Sequence, residues 1–374
     1  MSDETTGNGL FLHSVGPMPT GINHHWKPRV RRRADGRKYI QIDLSDEGIA
    51  YRSQIQEATR AYLQAHRATQ ARLDYAYCNG DGLGVVAVLY FPDNRSDLDG
   101  PLKLALDALV EGLDLDDDQI GLVAAFRAID AADPRLELWV GTLEDAARLT
   151  IHRLQEIVDC RLQIADRKKQ GGSSQGEQRF APTDSIKLGN SSLLTPHSSL
   201  SVALPDPPSF NKAWQWRIER GESGRARPVA YLSAAYTRYK AAAKQQVLHI
   251  LQDKRENSGK LAKSLAAACR GKQRVGLGIA LTLSRRQGDT DNYIKPTIDA
   301  IIEALNAAAP TDPAYAPLKS LNDRYITMLV ALKSRTPTDT PTACITLAPL
   351  PLAAEAAIAA IKGALNIDIG SPKV

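Results

Sequence analysis

The stretch Asp289-Thr-Asp-Asn-Tyr-Ile-Lys-Pro-Thr-Ile-Asp299 has an earlier counterpart, Asp97-Leu-Asp-Gly-Pro-Leu-Lys-Leu-Ala-Leu-Asp107. Four charged positions coincide at an offset of 192: Asp97 with Asp289, Asp99 with Asp291, Lys103 with Lys295, and Asp107 with Asp299. Upstream, Pro17, Pro19, Asn23 and Trp26 match Pro205, Pro207, Asn211 and Trp214 at an offset of 188. Leu44, Ser45, Tyr51 and Arg52 match Leu232, Ser233, Tyr239 and Lys240 at the same offset. Downstream, Asp117 and Ile120 align with Asp323 and Ile326 at 206, so 14 extra residues fall between Asn306 and Lys319. Offsets that change only at plausible loops indicate an internal duplication.

The 374 residues therefore divide into a first copy, 1–165, and a second copy, 199–374, each of ordinary domain size. Residues 166–198 between them contain Gln-Gly-Gly-Ser-Ser-Gln-Gly-Glu-Gln from Gln170 to Gln178 and read as a flexible linker. Each copy begins with an irregular Pro-rich entry and a basic loop. A helix follows, from Asp46 to Ala68 or Ala230 to Leu251, then a β-prone run, Val85 to Phe91 or Val275 to Leu283. After the acidic motif come a helix (Leu102 to Glu111, Thr297 to Asn306) and two strands (Ile120 to Ile129 with Leu136 to Val140, Tyr325 to Lys333 with Ala343 to Leu347). Helical stretches from Leu143 to Lys168 and from Leu352 to Leu365 end the copies. No βαβ rhythm is apparent, and α+β is the expected class.

Composition narrows the function classes. With 43% hydrophobic and 24% charged residues the chain is not a disordered one. No stretch approaches the ~20 apolar residues of a membrane span. The first residues lack a basic flank followed by an apolar core, so no secretory signal is expected and a soluble cytoplasmic protein is. Cys78, Cys160, Cys269 and Cys344 are scattered, which argues against zinc and against a disulfide framework. The net charge of +5 is unevenly spread. Seven Lys/Arg and one acid lie between Lys27 and Lys38, whereas eight acids and two bases lie between Arg95 and Asp118. Such a basic arm beside an acidic knot suits a protein that holds a polyanion and a metal; two solvated loops of opposite sign is the plainer reading.

Asp97 and Asp99 follow a β-prone run, and residues i and i+2 of extended chain share a face. Lys103 and Asp107 are one helical turn apart, as are Lys295 and Asp299. Converging carboxylates repel unless a cation neutralises them, and an oxygen-only set selects a hard cation, Mg²⁺ or Mn²⁺. A carboxylate-held Mg²⁺ beside a lysine suits phosphodiester hydrolysis. Seen once, Asp-x-Asp is equally a helix cap, and Lys103 with Asp107 an exposed i,i+4 pair. Its recurrence at identical spacing between divergent flanks favours chemistry. Counting back from Gly100 puts Arg95 at the first ligand position of an EF-hand, which excludes that motif.

These strings resemble the signature of RusA-type Holliday junction resolvases, Asp-x-Asp-Asn-x-x-Lys-x-x-x-Asp-Ala-Leu followed by Asp-Asp-x-Gln-hydrophobic. The first copy supplies Asp116-Asp-Asp-Gln-Ile120, and Pro207-Pro-Ser-Phe-Asn211 resembles the family's entry segment. The resemblance covers nearly all of both copies but not the linker. It implies a Mg²⁺-dependent endonuclease that resolves four-way DNA junctions in recombination and repair. It implies metal carboxylates at Asp97, Asp99 and Asp117 in the first copy, and at Asp289, Asp291 and Asp323 in the second. Lys103 and Lys295 match the catalytic lysine, and Asp107 and Asp299 the helix aspartate. Gly100 replaces the motif's Asn, which the second copy keeps as Asn292, and Asn322 replaces the first Asp of the second copy's later pair.

Family members act as homodimers, so a fused pair is expected to be a monomeric pseudo-dimer of two RusA-like α/β domains. The alternative is a branched-DNA-binding protein with one or both sites inactive. Expected phosphate contacts are Arg29, Arg31, Arg32, Arg33, Arg37 and Lys38 in the first copy, and Lys212, Arg217, Arg220, Arg225 and Arg227 in the second. Trp26, Trp214 and Trp216 are candidates for stacking on unpaired bases or for packing.

Overall fold

A computed structural model describes residues 12–17, 26–169, 199–220, 226–253, 260–265, 267, 274–283, 290–311, 313–334 and 342–367. The first half runs β1 (Leu12–Pro17), β2 (Trp26–Arg32), β3 (Lys38–Leu44), α1 (Asp46–Ala65), α2 (Arg67–Cys78), β4 (Leu83–Phe91), α3 (Asp99–Leu113), β5 (Ile120–Ile129), β6 (Arg135–Thr142) and α4 (Leu143–Lys169). The second runs β7 (Leu200–Pro205), α5 (Phe210–Ala213), β8 (Trp214–Arg220), β9 (Ala226–Leu232), α6 (Ala234–Asp253), β10 (Val275–Thr282), α7 (Thr290–Ala308), β11 (Ile326–Lys333), β12 (Thr342–Pro349) and α8 (Leu350–Leu365). Single 3₁₀ turns, Asp117–Gln119 and Asp323–Tyr325, precede β5 and β11.

Eight strands form one mixed sheet in the order β1-β6-β4-β5-β11-β10-β12-β7. The halves enter it from opposite edges and join through the antiparallel pair β5–β11, in which Ala124 faces Val330. Mixed helix and sheet is the α+β class expected. Each half nevertheless contains one parallel βαβ unit, β4-α3-β5 and β10-α7-β11, which the sequence reading did not find. The strands and helix of each unit are legible singly, but their parallel order is set by β4 pairing with β5 and β10 with β11, contacts that no local pattern encodes.

Successive side chains feed opposite layers. Val85, Ala87 and Leu89 of β4, with Leu277 and Ile279 of β10, face α1, α3, α6 and α7. Val86, Ala124 and Val330 face α4 and α8, which pack on each other. Gly84 and Gly276, related by the 192-residue offset, let those two helices approach. A Cβ at Gly84 would lie 2.3 Å from the Ala146 Cβ, and one at Gly276 2.5 Å from the Ala353 Cβ. The start of α1 is capped by Ser45 and that of α6 by Ser233, whose hydroxyls accept from Gly48 N and Tyr236 N at 3.1 Å.

Several expected boundaries change. The basic entry loops are two-stranded ribbons, β2–β3 and β8–β9, packed against each other. Residues 230–232, assigned to a helix, belong to β9. Helix α2 was not foreseen, and α7 begins at Thr290 and runs through Pro296. The expected linker begins too early: α4 continues to Lys169, and the rest of 166–198 lies outside the described residues. Among the described residues, no helix is long and apolar enough to cross a membrane, and Cys78, Cys160 and Cys344 are free thiols. Cys269 lies outside the described residues.

Candidate metal centre

The two motif helices, α3 and α7, face each other across the join between the halves. Asp99 and Asp291 sit in their first turns, and a small cavity between them is lined by Asp99, Gly100, Leu102, Lys103, Asp291, Ile294 and Lys295. Asp97 and Asp99 are not brought together by extended chain. Phe91 ends β4, a bend follows, and Leu98 is already in the α region (φ −79°, ψ −39°), so a turn converges the two carboxylates.

The third carboxylate comes from the other half. Asp97, Asp99 and Asp323 each offer an oxygen, and these atoms lie within 4.8 Å of one another. Asp323, not Asp117, thus completes the first copy's pair, because β11 runs beside β5 and presents the turn before it at that place. Asp117 lies instead beside an acidic surface cleft with Asp107, Glu111, Asp114 and Asp116, next to Arg52. Asp289 lies outside the described residues, and Asn292, next to Asp291 in α7, is buried.

Lysines cross the join in the same way. Lys295 Nζ lies 3.3 Å from Asp99 Oδ2, 2.9 Å from Asp299 Oδ1 and 3.0 Å from Asp323 Oδ2. Lys103 Nζ donates to Asp291 Oδ2 at 2.7 Å and to Asp107 Oδ1 at 3.2 Å. Asp107 and Asp299 therefore hold the lysines from their own helices, Asp323 reaches Lys295 from the same half, and Asp291 and Asp99 reach Lys103 and Lys295 from the other half. Burial opposes the charge of both lysines, but the surrounding carboxylates outweigh it and hold both well above the usual lysine range. Tyr236 OH donates to Asp299 Oδ2 at 3.4 Å, tying α6 to the cluster.

The carboxylates answer to burial first. Asp99 is 5% exposed, and burial pushes its acid up to about 6; Lys295 pulls down, while Asp323, Asp299 and Asp97 push further up. Burial, then Asp323, raises Asp97 as well. Asp99 Oδ2 is buried and accepts no hydrogen bond, although the Lys295 ammonium is near. An all-oxygen set with an unsatisfied buried oxygen fits a hard cation.

The basic residues largely occupy the outer faces of the ribbons. Lys27, Arg29 and Arg31 alternate with half-buried Pro28 and Val30, and exposed Arg217 lies between half-buried Trp216 and Ile218. Arg32 and Lys38 pair across the first ribbon, near its turn. Arg29 and Arg31 approach Asp43 at 3.8 and 3.4 Å, Arg37 approaches Asp35, and Arg217 and Arg227 approach Glu219. Arg33 lies 5.6 Å from the Tyr39 ring, and Arg217 5.4 Å from that of Tyr231. Lys212 is exposed on α5, and Arg225 lies outside the described residues. Trp214 packs against Tyr236, with ring centroids 6.4 Å apart, which is a packing role.

Arg127 is a site residue that the motif does not mark. It is buried beside Asp97, Asp99 and Asp323, and its signal in the sequence is a lone cation inside the apolar strand β5. No family model matches the chain, and no curated protein matches it either.

Proposed function

We propose that the chain is a metal-dependent, structure-selective DNA endonuclease that cuts four-way junctions, with its two halves acting as the subunits of a pseudo-dimer. The observation that carries this reading is the convergence of Asp97, Asp99 and Asp323 within 4.8 Å, with Lys295 among them. Those three carboxylates would hold Mg²⁺ (or Mn²⁺). A bound Mg²⁺ supplies a water of lowered pKa and charge stabilisation at a phosphate. Lys295, kept protonated by its acidic neighbours, offsets negative charge on the phosphate, and Asp299 aims its ammonium. Lys103, Asp107 and Asp291 take the corresponding places in the second site. The exposed arginines of the ribbons bind the backbone without reading sequence.

The pseudo-dimer rests on pairing. Ala124 faces Val330, and the 206-residue offset carries one into the other, which supports a two-fold relation between the halves. Two incisions placed about such an axis are what junction resolution requires. Incubation with a synthetic four-way junction, with and without Mg²⁺, tests the reading. Paired, metal-dependent incisions are expected. Junction binding without incision would assign the chain to the alternative, a branched-DNA-binding protein, and indiscriminate nicking would remove the structure selectivity.

A further inference from the structure

Behind the acidic triad lies a cation that no part of the proposed chemistry uses. Arg127 of β5 is 7% exposed, with its guanidinium 4.7 Å from the Phe91 ring centroid. Its Nη1 donates to the main-chain carbonyl of Arg324 at 2.6 Å, and its Nη2 to that of Ser96. Ser96 immediately precedes Asp97, and Arg324 immediately follows Asp323. One carbonyl belongs to the first half and the other to the second.

The other side of the join is built alike. Lys333, at the 206-residue offset from Arg127, is also buried, and its Nζ donates to the carbonyl of Asp118. Asp118 is the 206-residue counterpart of Arg324 and follows Asp117 as Arg324 follows Asp323. In both halves, then, a buried cation on the central strand grips the backbone of the opposite half's acidic turn.

Burying a cation is costly, and a hydrophobic side chain would fill the space more cheaply. Attraction to Asp97, Asp323 and Asp99 offsets part of that cost, but a lysine would supply the same charge, and any cation beside a metal site weakens metal binding. What arginine adds is a rigid planar fork whose donors have fixed mutual directions. We infer that Arg127 is the positioning residue of the composite centre: by holding the Ser96 and Arg324 carbonyls on one guanidinium, it sets the spacing of Asp97 and Asp323 across the join so that three carboxylates meet one divalent cation. This role rests on the metal-centre reading above, and its sign separates it from a purely electrostatic one.

Mn²⁺ titration of the full chain, followed by electron paramagnetic resonance of the free ion, provides the test. The composite site is identified as the one lost in Asp323→Asn. Arg127→Gln is expected to weaken that site about tenfold or more, as loss of a ligand-orienting partner typically does. Arg127→Lys, which keeps the charge but not the fork, is expected to fall between Arg127→Gln and the unaltered protein. Unchanged or tighter binding by Arg127→Gln would overturn the role and leave the metal centre standing. Should Arg127→Gln fail to unfold cooperatively, Arg127→Lys decides: weakened binding supports the role, and unaltered affinity overturns it. No Mn²⁺ bound by the unaltered protein would overturn the metal centre and this role together.

Discussion

Lys103 of the first half donates to Asp291 of the second at 2.7 Å, and Lys295 of the second lies 3.3 Å from Asp99 of the first. Each half thus supplies the counter-charge for the other half's motif. Like-charged carboxylates concentrated at the join would otherwise drive the halves apart, so these exchanges let an acidic interface stay closed.

A composite centre makes a specific genetic demand. Asp97→Asn and Asp323→Asn, although 226 positions apart, are expected to disable the same site and convert paired incision into single-strand nicking. The double variant should be no worse than either single one, since both remove one cluster. Product mapping on a nicked-versus-resolved junction gel checks this. Asp99→Asn combined with Asp291→Asn is expected to abolish cleavage and leave junction binding intact in a mobility-shift assay.

Removal of Lys295 leaves Asp99, Asp299 and Asp323 without their shared cation. Lys295→Gln is expected to cost on the order of 3 kcal/mol in metal-free buffer, in the range for breaking a buried pair. Millimolar Mg²⁺ is expected to recover part of the loss, because a ligand that binds only the folded state stabilises it. Chemical denaturation with and without Mg²⁺ measures both effects.

Asp99 makes the metal-free protein less stable as the pH rises. Its folded-state acid is raised from 3.8 to about 6, chiefly by burial, so the folded protein binds the proton more tightly than the unfolded chain does. The associated stability is present below about pH 4 and is lost as the pH rises through about 6, with a size on the order of 3 kcal/mol. Metal-free Asp99→Asn should lack this fall. In the unaltered protein Mg²⁺ affinity should climb over the same interval as the carboxylate ionises.

On the far face of the sheet, Gly84→Ala is expected to destabilise by about 1–3 kcal/mol, because the new methyl meets Ala146 on a packed helix. Gly276→Ala meets Ala353 and the more yielding Met328 side chain, so its cost should be similar or smaller. Urea unfolding midpoints with unchanged slope would check the pair.

Neutralising Arg31, Arg32 and Arg33 together should weaken binding to all DNA shapes alike. The slope of log affinity against log salt should flatten by up to ~0.9 per lost phosphate contact. An unchanged slope would mean that the first ribbon does not touch the backbone.

The duplication, the Lys–Asp spacing within α3 and α7, and most strand and helix positions were written in local sequence, because offsets, i,i+4 periods and β-prone runs depend on residues close along the chain. Even Arg127 left a trace, as one charge in an apolar strand, and the ribbons hid only because Pro and Arg dilute β-propensity over Trp26–Leu44. What the sequence could not specify is which copy's acid joins which pair. Asp117 and Asp323 are equivalent by offset, and either satisfies the motif. The choice is made by β5 pairing antiparallel with β11, a contact between residues some two hundred positions apart. That pairing brings Asp323, Lys295 and the Arg324 carbonyl to Asp97, Asp99 and Arg127, and long-range strand pairing leaves no local periodicity to read.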